Sequence, residues 1–170
     1  MQRNRTRDLT VAALIAALYV VLGYFGNLFS LTFGPIQIRF AEALTVLPFL
    51  LPATAPGLVI GCLITNILSP YGPLDLILGT LATAIAAFLT AKMPRWYLAA
   101  LPPILVNLIL LPPIWAWTEA GAINSAFFAA WGFNAITFII GETIACYGLG
   151  TLLLRVLTRI PALRSGNKSN

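Results

Sequence analysis

The sequence contains no histidine, only 9% charged residues and only two cysteines in 170 positions. Soluble domains carry roughly 25% charged residues, so this chain is too poor in charge to clothe a globular surface in water. Without histidine, and without an aspartate pair or a Cys/His set, zinc chemistry and nucleophile–histidine catalysis are not expected. There is no G-x-x-x-x-G-K-[ST] loop, so ATP hydrolysis by that route is not expected either. The reading is of a protein that is not an enzyme and that needs neither metal nor cofactor. Cys62 and Cys146 fall in apolar runs, where a buried free thiol is the ordinary outcome.

What the chain has is apolar length. Hydrophobic residues make up 59% of it, and spans near 20 residues match a bilayer core of about 30 Å. The runs are Leu9–Phe29, Phe40–Leu51, Gly57–Leu68, Leu74–Ala91, Tyr97–Trp115 and Phe127–Leu157, with turn formers SPYGP at Ser69–Pro73. This predicts an all-α membrane protein, a bundle of six transmembrane helices in one integral membrane domain over 1–170. Residues 1–8 are expected in the cytoplasm, 9–157 in the six helices, and 158–170 in a disordered cytoplasmic tail. The run after the basic N-terminus lacks a cleavage site and is expected to stay as the first span. The second and third runs reach only roughly 17 Å at 1.5 Å per residue. They either extend into their flanks and span, or fold as a re-entrant hairpin.

Charge placement agrees with the count, and equally with four spans and a re-entrant hairpin, which keep the same parity. Arg3, Arg5 and Arg7 precede the first run, Lys92 and Arg95 lie between the fourth and fifth, and Arg155, Arg159, Arg164 and Lys168 follow the sixth. With six passages all of these are cytoplasmic, as are both termini. Basic residues placed this way fix orientation, and nucleic acid is not an expected partner. The tenth basic residue, Arg39, stands outside, at the mouth of the second run.

Ionisable groups at membrane depth are costly and usually mark a site. Glu142 sits mid-run in the sixth, Glu42 near the outer end of the second, and Asp75 at the start of the fourth. Asn66, Asn107 and Asn134 lie in or near spans, with Trp115, Trp117 and Glu119 at the outer end of the fifth. Each has a plain structural reading beside the functional one. Arg39 and Glu42 at i, i+3 suit a helix-surface pair. Asp75 suits a helix N-terminus, the tryptophans an interfacial belt, and Asn66 and Asn107 interhelical hydrogen bonds. Glu142 has the weakest structural reading, because a bare mid-membrane carboxylate needs a partner or a ligand. Carboxylates facing one cavity, with tryptophan and Tyr71 or Tyr147 as flat surfaces, suit a small, planar ligand, neutral or cationic, that is rich in N–H donors. The first run also carries small-residue pairs, Ala12, Ala13, Ala16 and Ala17, over which another helix can approach closely.

The stretches TVAALIAALYVVL (10–22), GPIQIRFAEALTVLPFLLPATAPGLVIGCLITNIL (34–68), LDLILGTLATAIAAFLTAK (74–92), LPPILVNLIL (101–110) and GETIACYGLG (141–150) resemble the QueT family. These are substrate-binding S-components of energy-coupling factor (ECF) transporters, assigned to queuosine precursors. The resemblance implies six helices with cytoplasmic termini in the bacterial plasma membrane, and a lid over about Ser30–Ile38. It also implies a transmembrane coupling protein and two cytoplasmic ATPases as partners. The alanines of the first helix then resemble a docking surface for that coupling protein.

The implied ligand is a 7-deazaguanine: the cyano form, the aminomethyl form or queuine. Its guanine edge offers N1–H and a 2-amino group to one carboxylate. The expected substrate-binding residues are Glu42, Glu142, Asn107, Arg39, Asn66, Asp75, Trp117 and Tyr71. Alternatives are an S-component for a different vitamin, a stand-alone or ion-coupled permease, and a scaffold subunit without ligand.

Overall fold

The structure, a computed structural model, describes residues 5–29, 31 and 38–160. Most of the expected lid, Ser30–Ile38, lies outside the described residues, as do Arg3, Arg164, Lys168 and most of the expected tail. Every regular element among the described residues is helical. In chain order these are α1 (Arg5–Leu28), a 3-10 helix (Phe40–Phe49), α2 (Ala55–Asn66), α3 (Gly72–Thr90), α4 (Leu101–Ala120), α5 (Ser125–Glu142), a π-helix (Thr143–Gly150) and α6 (Thr151–Leu157). Single 3-10 turns at Pro52–Thr54 and Trp96–Leu98 lead into α2 and α4.

Four helical stretches are long and apolar enough to cross a membrane: Arg5–Leu28, Gly72–Thr90, Trp96–Ala120 and Ser125–Leu157. They coincide with the first, fourth, fifth and sixth runs of the sequence. The two short runs also form helices, Phe40–Phe49 and Pro52–Asn66. The fifth passage runs beyond its expected end at Trp115 to Ala120, where Gly121 closes it at φ 69°. A left-handed residue at that position is the usual glycine stop of a helix.

The Phe40–Phe49 helix is the pillar around which the rest packs. All of Ala41–Pro48 is buried, and its neighbours include α1, α3, the π-helix and α6. Pro48 has no N–H, and its ring crowds the carbonyl four residues back, which disfavours α geometry here. Bonds of the i to i+3 type result, as from Glu42 N to Arg39 O (2.9 Å) and Leu50 N to Leu47 O (2.9 Å). At about 2.0 Å rise per residue, 3-10 winding carries a short sequence further than an α-helix does. Opposite it, the last passage unwinds instead, into the π-helix that starts directly after Glu142.

α1 and α2 meet without room for a side chain. A Cβ on Gly57 would lie 2.2 Å from the Ala12 carbonyl oxygen, and one on Gly61 would lie 2.6 Å from Tyr19 Cβ and 3.0 Å from the Ala16 oxygen. The four alanines of α1 therefore divide. Ala12 and Ala16 lie partly covered on the α2 seam, while Ala13 and Ala17 are exposed beside Leu14, Leu18 and Val21.

Candidate functional site

The bundle is inverted relative to a soluble protein. Large apolar side chains stand outside, among them Leu9, Ile77, Ile109 and Ile136. Arg39, Glu42, Asp75, Asn107 and Glu142 are inside, none more than 5% exposed. Charged groups in a dry interior persist only with partners, so their hydrogen bonds decide what the interior does. Two acidic centres result.

The first surrounds Asp75 in the opening turn of α3. Ser69 Oγ donates to Asp75 Oδ2 at 2.5 Å, and Trp115 Nε1 donates to Oδ1 at 3.1 Å. Arg39 Nη2 lies 3.7 Å from Oδ2. The Trp115 ring stacks on Tyr71 (centroids 5.2 Å, 25°), meets Phe138 edge-on at 5.5 Å, and has the Arg39 guanidinium 5.5 Å above it. Asn66 Nδ2 donates to the Asp75 main-chain oxygen at 3.3 Å and to Cys62 Sγ at 3.4 Å, tying α2 to α3. The loop residues that looked like mere turn formers thus anchor the carboxylate: Ser69 binds it, and Tyr71 covers the indole that binds it.

The second centre holds both glutamates. Tyr19 Oη of α1 donates to Glu42 Oε1 at 2.6 Å. Cys146 Sγ, one turn past Glu142, lies 3.3 Å from Glu142 Oε2 and 3.5 Å from the Glu42 main-chain oxygen. The Asn107 amide adjoins the Glu142 carboxyl. Each glutamate thus has one oxygen held by a neutral donor. The other oxygens, Glu42 Oε2 and Glu142 Oε1, are buried with no hydrogen-bond partner among the described residues, and so is Asn107 Oδ1. Arg39 Nε and Nη2 likewise lack a hydrogen bond among the described residues; an unmatched buried polar group costs about 1–3 kcal/mol, more when charged, so this cluster is the candidate site.

The predicted site residues distribute unevenly over this interior. Glu42, Glu142 and Asn107 come together. Arg39, Asp75, Asn66 and Tyr71 form the adjoining centre, with Arg39 close enough for its field to reach both glutamates. Trp117 is 44% exposed, whereas Trp115 is fully buried. Positions two apart on an α-helix point about 200° apart, so only one indole can face inward, and it is Trp115. Asn134 belongs to neither centre: it donates to Glu119 at 3.2 and 3.4 Å, joining α5 to α4. Sequence reasoning passed over Tyr19 and Ser69, and gave Cys146 only the part of a buried thiol. The i, i+4 spacing of Glu142 and Cys146 was the signal for the last. A small hollow of about 10 Å³, the space of one water, lies beside Tyr19, Gly23, Arg39, Ala41, Thr65 and Asn66.

An apolar exterior around an interior with one guanidinium, three carboxylates and unmatched acceptors defines an integral membrane protein of the all-helical class, with the groups of a polar binding site inside. The chain matches the family described as QueT transporter over residues 9–159 and belongs to that family, whose members are transporters and not enzymes. The resemblance read from the residues is thereby borne out. The chain is also similar to the queuosine precursor transporter QueT of Lactococcus lactis subsp. cremoris (strain MG1363), with 36% identity over 85 residues. That match spans 50% of this chain and 50% of the relative. No solved structure matches the chain.

Proposed function

We propose that this protein binds a queuosine precursor, a 7-deazaguanine, from outside a bacterial plasma membrane as the substrate-binding subunit of an ECF-type importer. The observation that carries the reading is the trio of buried acceptor oxygens, Glu42 Oε2, Glu142 Oε1 and Asn107 Oδ1. A 7-deazaguanine offers N1–H, a 2-amino group and a pyrrole N–H, a donor set that such acceptors complete. Family membership and the name of the Lactococcus relative support the same ligand class.

In this reading the chain crosses the membrane six times with both termini in the cytoplasm. The basic residues before α1, between α3 and α4, and after α6 support that orientation. The chain carries no phosphate-binding loop of its own; a transmembrane coupling protein and two ATPases provide the power, docking over the exposed Ala13/Ala17 face of α1. Titration calorimetry of the purified protein with 7-aminomethyl-7-deazaguanine, 7-cyano-7-deazaguanine and queuine tests the reading. Saturable binding of at least one, with no binding of B vitamins, is expected. Binding of a B vitamin and of none of the three rejects it.

A further inference from the structure

We infer that the cytoplasmic end of the bundle carries a second, separate binding site, a seat for an anionic phospholipid whose phosphate is held at Arg155. Only the choice of leaflet depends on the orientation proposed above. The buried glutamates and their ligand take no part.

A hollow of about 240 Å³ lies among Phe49 and Leu50 at the end of the 3-10 helix, Trp96 of the turn before α4, and Leu154, Arg155 and Thr158 at the end of the last passage. It is far larger than the roughly 30 Å³ share of one water, and smaller than the roughly 300 Å³ at which pockets for whole small molecules begin. It therefore suits one part of a larger amphiphile whose remainder lies in the bilayer. Its apolar wall is Phe49, Leu50 and the buried Leu154. Its cation is exposed: the Arg155 guanidinium stands 4.9 Å over the Trp96 ring. Stacking occupies the face of a guanidinium and leaves its N–H edge, the edge that grips a phosphate bidentately. Thr158 donates its hydroxyl to the Arg155 carbonyl at 2.9 Å, so the phosphate falls to the guanidinium.

No acid of this chain answers that cation. The sequence has five Asp and Glu residues. Glu42, Asp75 and Glu142 are sealed inside. Glu119 is bonded to Asn134 at the opposite end of the bundle, and Asp8 lies in the first turn of α1. Among the described residues Arg155 makes no ion pair. The same end adds Arg95, on the Tyr97 ring and hydroxyl, and Lys92, over Phe88. Residues 161–170 bring two more cations and no acid. Orientation alone accounts for cations at this level, but not for a hollow with an apolar wall beneath one of them. Basic pockets between helices on the cytoplasmic side are where anionic head groups bind. A free phosphate would leave the apolar wall uncovered, and an uncharged apolar molecule would leave Arg155 without a counter-ion. A phospholipid anion supplies both parts. Seated there, it braces the ends of the two elements that carry Glu42 and Glu142.

The test is native mass spectrometry of the full chain, delipidated in detergent and titrated with phosphatidylglycerol or phosphatidylcholine of the same acyl chains. One phosphatidylglycerol is expected to bind at least about fivefold more tightly than phosphatidylcholine, the worth of one cation near a charged membrane surface. Arg155→Gln is expected to bring this ratio below about 2. Arg5→Gln, which removes the same charge elsewhere, is expected to leave it unchanged. Equal binding of the two lipids to the unmodified protein overturns the inference, as does a ratio that falls no further in Arg155→Gln than in Arg5→Gln. Competition by glycerol 1-phosphate at concentrations like those of the lipid assigns the hollow to a free phosphate and overturns it too. So does a dimer that is lost in Arg155→Gln, which assigns the hollow to a second copy of the chain. The comparison of lipids on unmodified protein decides the matter even where a variant fails to fold. All of these outcomes leave deazaguanine binding, and the function proposed from it, standing.

Discussion

Asp75 and the Glu42–Glu142 pair are both acids sealed in the same bundle, yet they are finished to different degrees. Asp75 has a hydroxyl, an indole N–H and a guanidinium on its two oxygens. The glutamates have a phenol and a thiol on one oxygen each, and the other two oxygens are bare among the described residues. A buried carboxylate with both oxygens engaged fixes structure, whereas one with a bare oxygen stores a cost that a ligand can relieve. The difference teaches that burial and charge alone do not mark a binding residue. In the proposed function it is the residual valence that does.

The largest expected effect breaks the finished centre. Asp75→Asn strands Arg39 in the dry interior, and loss of one partner of a buried pair costs about 3–5 kcal/mol. A marked drop in melting temperature in detergent is expected, ligand present or absent. If Asp75→Asn melts like the parent and loses only binding, the two centres are not distinct in kind.

Glu142→Gln is expected to do the reverse. It removes a buried acid with one unmatched oxygen, so the melting temperature holds or rises. Ligand affinity falls about 10- to 100-fold, the worth of a hydrogen bond to a charged group. Trp115→Phe keeps the stacking and removes one donor from Asp75. A loss of about 1–2 kcal/mol in stability is expected, with affinity little changed. Tyr19→Phe takes the donor from Glu42 and is expected to weaken binding about fivefold, or about 1 kcal/mol. Its readout in affinity, against that of Trp115→Phe in melting, sharpens the division. Trp117→Phe, on the outside, is expected within about 0.5 kcal/mol of the parent in both measurements.

Much of the architecture was legible because apolar length and turn residues set it directly. The four long passages coincide with four runs, and the SPYGP turn separates α2 from α3 as read. The winding of the helices was not legible. A 3-10 helix, an α-helix and a π-helix need the same apolar residues, and only Pro48 hinted that the second run departs from α geometry.

The site was half legible. Mid-membrane carboxylates are rare enough to single out Glu42 and Glu142 from composition alone. Arg39 and Glu42 looked like an i, i+3 helical pair, but Arg39 stands before the helix in extended geometry (φ −87°, ψ 91°). Its ion pair reaches Asp75, far along the chain. Pairing across helices depends on which faces meet, and a hydropathy run that is apolar on every side does not reveal its inward face. The choice of Trp117 over Trp115 has the same origin. Tyr19 gave no signal, since a tyrosine near a span reads as an interfacial residue until its hydroxyl is seen to meet a carboxylate.

The seam at Gly57 governs how the molecule can yield to force. With the Ala12 carbonyl already against the glycine, the two helices are locked together like gear teeth, and neither can slide along the other. Any movement of the first helix therefore carries the second with it as a single plank.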